Sequence, residues 1–126
     1  MPKGESLYSK YPDYQVELVR GSDLVRVSFD GQVIADSARP LYVRESNHAE
    51  VVYFPREDVR FEHLQRTGHA SFCPFKGEAS YWTLRVAEVE SENAVWSYED
   101  PFDQVAGLKD HLAFYADRVE WSRRSP

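Results

Sequence analysis

The sequence predicts a mainly β domain of roughly eight to ten short strands, in a sandwich or a partly open barrel. Three observations lead there. Aromatic residues make up 14% of the chain, as eight Tyr, seven Phe and three Trp, and such side chains suit a pleated, half-buried surface. Short runs of alternating character are separated by Pro, Gly, Asp and polar residues. Finally, Asp30-Gly31 stands between two β-rich runs. That is a strong hairpin signal, because a type I′ turn needs positive φ at both central residues.

The elements follow in order. Residues 1–14, broken by Pro2, Gly4 and Pro12, read as an N-terminal arm, leaving 15–126 as a single β-rich domain. A first strand runs over 15–19. Strands 24–29 and 32–36 flank Asp30-Gly31. Residues 37–40 break the chain, 41–45 form the strand after the hairpin, and 49–54 another, stopped by Pro55. Residues 56–58 turn, and 59–64 alternate as a strand would. Gly68, Pro74 and Gly77 mark 68–77 as a loop. Strands 79–87 and 93–98 are joined by the polar residues 88–92. Pro101 suits the first turn of a helix, so one short helix falls near 102–109. Strand 112–115, a turn at Ala116-Asp117 and a closing segment 118–121 complete the chain.

Bulk properties narrow the function classes. A chain of 126 residues fits one domain and can bury roughly two thirds of its unfolded surface without staples. The formal net charge is −6, with clustered Arg only near the C-terminal end, which disfavours a nucleic-acid partner. One cysteine permits no internal disulfide and no zinc site of two CxxC pairs. No apolar run has the length of a membrane span, and residues 1–14 lack the apolar stretch of a secretory signal. A cytoplasmic protein with no membrane partner is the expectation.

The least ordinary stretch, His69-Ala-Ser-Phe-Cys73-Pro-Phe-Lys76-Gly77-Glu-Ala-Ser-Tyr81-Trp82, is read as lining a pocket. Cys73, with His69 upstream and Lys76 downstream, is a thiol-nucleophile candidate. Its apolar neighbours Phe72, Pro74 and Phe75 favour a packed, inert cysteine instead. Lys76 has an apolar neighbour on one side and Gly77 on the other, so it suits a base or an anion contact as well as a surface turn. The segment is no P-loop, since the earlier glycine and the following hydroxyl are missing. His48, His63, His69 and His111 form no HxH or HExxH pattern, and no metal site is expected. Glu45 and Asp58 sit at strand ends near Arg39, Arg44, Arg56 and Arg60, which gives ion pairing or acid–base work. On their strands Trp96 and Tyr98 share one face, while Tyr81 and Trp82 point to opposite faces. Tyr115 follows Phe114 and offers another aromatic wall.

Several blocks together resemble one family. They are Gly31-x-x-Ile-Ala-Asp36-Ser37-x-Arg39, Tyr53-Phe-Pro55-x-x-Asp58-Val59, Cys73-Pro-Phe-Lys76-Gly77-x-Ala79-x-Tyr81, Trp96-x-Tyr98 and Ala113-Phe-Tyr115. In order and spacing they resemble the domain of unknown function 427 family, from about Val16 to Trp121. The resemblance implies a β-tent, two antiparallel sheets meeting along one edge. Fold relatives of that family often carry four zinc-binding cysteines, a site this chain cannot form with one. The cereblon-type relatives grip cyclic ligands in a tryptophan cage, a use that Trp82, Trp96 and Tyr98 could imitate. A nucleotidyltransferase label attached to the family finds no Gly-Ser and paired-Asp motif here.

Three functions follow from these readings. The first is a domain that binds an unidentified small polar or cyclic molecule in an aromatic-lined pocket between two sheets. Lys76, Arg39, Glu45 and Asp58 supply its polar groups, and Tyr53, Tyr81, Trp96, Tyr98 and Tyr115 its walls. The second is an enzyme using Lys76 or Cys73 in acid–base or covalent chemistry, with no cofactor indicated. The third is a non-catalytic interaction domain, for example a homodimer through an exposed sheet edge.

Overall fold

The computed structural model describes residues 6–126. Ten strands lie among them: β1 (Val16–Arg20), β2 (Leu24–Phe29), β3 (Gln32–Ser37), β4 (Leu41–Glu45), β5 (Val51–Pro55), β6 (Leu64–Cys73), β7 (Gly77–Val86), β8 (Val89–Ser97), β9 (His111–Phe114) and β10 (Glu120–Arg124). They pair antiparallel throughout. One sheet has seven strands in the order β1-β4-β5-β9-β8-β7-β6, and the other has three in the order β10-β2-β3. The chain is mainly β in two antiparallel sheets, as the sequence predicts. The short helix near 102–109 is a 3₁₀ segment, Asp103–Leu108, broken at Val105 (φ −126°, ψ 34°).

The Asp30-Gly31 turn has the dihedral signs its sequence demands, φ 47° and 79°. It sets the β2–β3 register, and alternation places Val25 and Val27 on the buried face of β2. Those side chains, with Ile34 and Ala35 of β3, meet Phe54, Trp82, Leu84, Val95, Leu112 and Phe114 of the large sheet. This cluster fills the space between the sheets.

The large sheet also buries its other face. Period-two alternation sends Phe54 into the inter-sheet cluster and its neighbour Tyr53 to the opposite side. There Tyr53 joins Leu41, Val43, Ala79, Tyr81, Tyr98 and Ala113, covered by Phe102, Val105 and Leu108 of the 3₁₀ region. Burial on both faces explains why β9, His-Leu-Ala-Phe, is buried at every position.

Three sequence expectations give way. Residues 59–64 are not a strand: Val59 makes an isolated bridge to Ala35, and Phe61–His63 is a 3₁₀ turn. Residues 68–77 are not a loop but mostly the end of β6, with only Pro74–Lys76 left to turn into β7. Residues 88–92 are mostly β8, since the β7–β8 hairpin turns at Ala87 (φ 53°) and Glu88. The cause is shared. β6 is an edge strand exposed along most of its length, and the β7–β8 tip is exposed too, so no buried face imposes an apolar rhythm. A register shift between Arg66 and Ala70 accommodates Gly68, a residue that weakens regular pairing and favours bulges.

Residues 6–14 of the expected arm pack against the β6–β7 turn. The Leu7 N–H donates to the Pro74 carbonyl at 3.0 Å. The Tyr8 hydroxyl donates to the Phe75 carbonyl at 2.8 Å. The Phe75 ring stacks on Tyr14 at 3.7 Å and meets Tyr8 edge-on at 5.2 Å. Residues 1–5 of the expected arm lie outside the described residues.

His111 on β9 is a buried titratable group. Its Nδ1 lies 2.8 Å from the Lys109 carbonyl, which can only accept, so Nδ1 carries the proton. Nε2 then accepts from the Arg20 guanidinium at 3.1 Å. Burial lowers the imidazole pKa. The Lys109 carbonyl and Asp110 pull upward, Arg20 and Arg39 downward, and the net result is below the ordinary histidine value. A base with a depressed folded pKa lets the unfolded chain take up the proton first. Stability is therefore expected to fall as pH drops below about 6.5, and to level off once folded His111 also protonates. Denaturant midpoints between pH 7.5 and 5 should show this slope, and His111→Gln should flatten it.

Candidate functional site

The face of the large sheet away from the small one is not fully covered. Beside the 3₁₀ segment it opens into a cavity of about 670 Å³. Strand periodicity builds the floor: Val43 and Glu45 alternate on β4, Val51 and Tyr53 on β5, and Tyr81 and Trp96 come from β7 and β8. The β6–β7 turn, with Cys73, Pro74, Phe75 and Lys76, forms one wall, and Tyr14, His48, Ala49, Tyr98 and Tyr115 complete the rim.

Backbone geometry aims Lys76 inward. Gly77 follows it with φ +114°, where an added Cβ would meet the Asp100 carbonyl at 3.4 Å. The Phe102 N–H donates to the Lys76 carbonyl at 3.1 Å. The turn is thereby held against residues 100–102, and the Lys76 side chain is only 9% exposed. Its ammonium pairs with the Glu45 carboxylate, whose side chain is 10% exposed. The Tyr14 hydroxyl donates to the other Glu45 oxygen, His48 Nε2 lies 3.9 Å from that oxygen, and Lys76 Nζ stands 5.9 Å from the Tyr98 ring centroid. Burial by itself would raise the Glu45 pKa. The hydrogen bonds from Lys76 and Tyr14 prevail and hold the carboxyl below its usual value.

Around this pair the cavity is aromatic. The Trp96 indole N–H donates to the Tyr53 hydroxyl at 3.1 Å, and the Trp96 and Tyr115 rings lie 4.7 Å apart. The Tyr81 hydroxyl is 2.8 Å from Ser71 Oγ. Burial pushes the Tyr53 and Tyr98 phenols above their ordinary pKa, so both are neutral hydroxyls at physiological pH.

Seven predicted site residues meet here: Lys76, Glu45, Tyr53, Tyr81, Trp96, Tyr98 and Tyr115. Arg39 and Asp58 do not. Arg39 is exposed and pairs with Glu57, while Asp58 accepts from the buried Ser37 hydroxyl at 2.7 Å. Both contacts lie at the chain corner after β3, where the Arg39 N–H also donates to the Ser37 hydroxyl oxygen. Trp82 also lies elsewhere, because its neighbour Tyr81 takes the cavity side of β7 and Trp82 the inter-sheet side. The cavity itself is not between the sheets, a space already filled by the apolar cluster around Phe54 and Ile34. Cys73 lines the wall, but among the described residues no histidine hydrogen-bonds its thiol. His69 instead packs its ring on Tyr81 at 4.5 Å. No group of three or more His, Cys, Asp or Glu able to hold a metal occurs among the described residues.

Tyr14, His48 and Phe75 also belong to the site, although the sequence does not single them out as ligand contacts. A signal for the first is present: Tyr8, Tyr11 and Tyr14 recur every third residue in an otherwise polar segment.

Removing one partner of a buried pair strands the other's charge, at a cost on the order of 3–5 kcal/mol. Lys76→Met alone is therefore expected to lower unfolding free energy by that order. Glu45→Gln added to it should recover most of the loss, as read by chemical denaturation of the single and double variants.

Across residues 17–124 the chain matches the family described as Domain of unknown function (DUF427). No curated protein matches it.

Proposed function

The chain belongs to the DUF427 family over most of its length, and from that premise we propose that it is a binding domain for a small cyclic or polar molecule. One observation carries the reading: a nine-tenths-buried ion pair, Lys76–Glu45, stands at the wall of an aromatic cavity of about 670 Å³. The volume lies within the range of small-molecule sites, and an apolar lining with a few convergent polar groups is their usual form. Taking two charges out of water is costly, and apolar residues of similar size are often at least as stable. A ligand-orienting role gives that expense a purpose.

The enzymatic alternative has less behind it. Cys73 reaches the wall without a histidine partner among the described residues, and Lys76 is engaged by Glu45. As to location, no helix among the described residues is long and apolar enough to cross a membrane.

Trp96 in the cavity wall provides a spectroscopic probe. A panel of small ring compounds should contain members that change tryptophan emission and raise the thermal midpoint. The double variant Lys76→Met/Glu45→Gln, which preserves shape and removes both charges, should weaken such binding at least about tenfold, near 1.4 kcal/mol. Binding unaffected by that variant, or no binding across the panel, would overturn the proposal.

A further inference from the structure

The balance of hydrogen-bonding groups around the cavity narrows the ligand class, on the premise that the cavity is a binding site. Both oxygens of Glu45 are already engaged, one by Lys76 and the other by Tyr14. The donors are not. The Lys76 ammonium has three hydrogens, and among the described residues only Glu45 receives one. Tyr53 uses its oxygen to accept from Trp96, which leaves its own O–H to donate. The Tyr98 hydroxyl, on a residue 8% exposed, has no hydrogen-bond partner among the described residues. Three nearly buried residues thus line one space with unused donors, while the Glu45 carboxylate, the strongest acceptor there, has both oxygens engaged.

Charge supplies the second constraint. Lys76 and Glu45 cancel. An anionic ligand would add an uncompensated charge beside Glu45, and a cation would add one beside Lys76, each next to a side chain about nine-tenths buried, where an unpaired charge is expensive. The walls supply the third, since Trp96, Tyr53 and Tyr98 favour a flat ring that can stack or meet them edge-on. We infer that the cavity selects neutral, flat ring compounds bearing a carbonyl oxygen, which accepts from the Tyr53 and Tyr98 hydroxyls and the Lys76 ammonium.

Four probes of similar size separate the terms: acetophenone (neutral acceptor), toluene (no acceptor), benzoate (anion) and benzylammonium (cation). Binding is read by tryptophan emission and by chemical-shift changes in the wild-type chain. Acetophenone is expected to bind tightest, about tenfold or more above toluene, with benzoate and benzylammonium weaker than acetophenone. Tyr98→Phe, which keeps the ring and removes the hydroxyl, should weaken acetophenone by roughly three- to tenfold, the size of one ordinary hydrogen bond. It should leave toluene and the thermal midpoint unchanged. Tyr53→Phe is the second arm. Equal binding of toluene and acetophenone, tighter binding of either charged probe, or an acetophenone preference untouched in both variants would overturn the inference while leaving a binding site in place. Silence from all four probes would remove the underlying binding-site reading as well.

Discussion

The contact between Lys76 and Glu45 constrains the whole large sheet. Glu45 ends β4, and Lys76 sits in the turn between β6 and β7. In the sheet order, β5, β9 and β8 lie between β4 and β7. Four steps of about 4.8 Å in a flat sheet would put those strands roughly 19 Å apart, too far for two side chains to meet. The sheet must therefore curl, or the corner must fold over its face, for the pair to form. Either way the β6–β7 turn comes to lie over that face of the sheet, and the cavity is bounded by both. Around it the polar contacts form one connected set: Tyr14 on the carboxylate, Tyr8 on the carbonyl of Phe75, and Phe102 on the carbonyl of Lys76.

The two faces of the sheet divide the work. The inter-sheet side is closed mainly by branched and aromatic side chains such as Ile34, Val95, Phe54 and Trp82. The opposite side keeps its tyrosines, which bring a large apolar body and one hydroxyl each. Adjacent residues on a strand serve different roles: Phe54 seals the core while Tyr53 faces the cavity, and Trp82 and Tyr81 repeat the arrangement on β7. A one-residue slip in register would exchange the two sets. The Asp30-Gly31 turn guards against this in the small sheet.

Legibility in the sequence follows from how local each constraint is. The Asp30-Gly31 hairpin is readable because its dihedral requirement lies within two residues. β4, β5 and β7 are readable as short runs rich in apolar and aromatic residues, bounded by breakers such as Pro40, Pro55 and Gly77. β6 is not, since an edge strand without a buried side has no rhythm to detect and Gly68 resembles a loop marker. In the site, Lys76 and the aromatic walls are visible as unusual residues in unusual company. The joining of Lys76 to Glu45, 31 residues away, depends on strand order, which no local pattern encodes. The same blindness assigns Arg39 and Asp58 to the pocket: both are polar groups at strand ends, and only topology shows that they face Glu57 and Ser37 instead.

The docking of residues 6–14 has a practical side. Family similarity begins at residue 17, so a chain trimmed to that boundary would keep both sheets, with β1 shorter by Val16 alone. It would also lack Tyr14, and with it a piece of the rim and a hydrogen-bond donor to the Glu45 carboxylate. Such a fragment could pass every test of folding and still present a different cavity. For this protein, the limits of the similar region and the limits of the candidate site do not coincide.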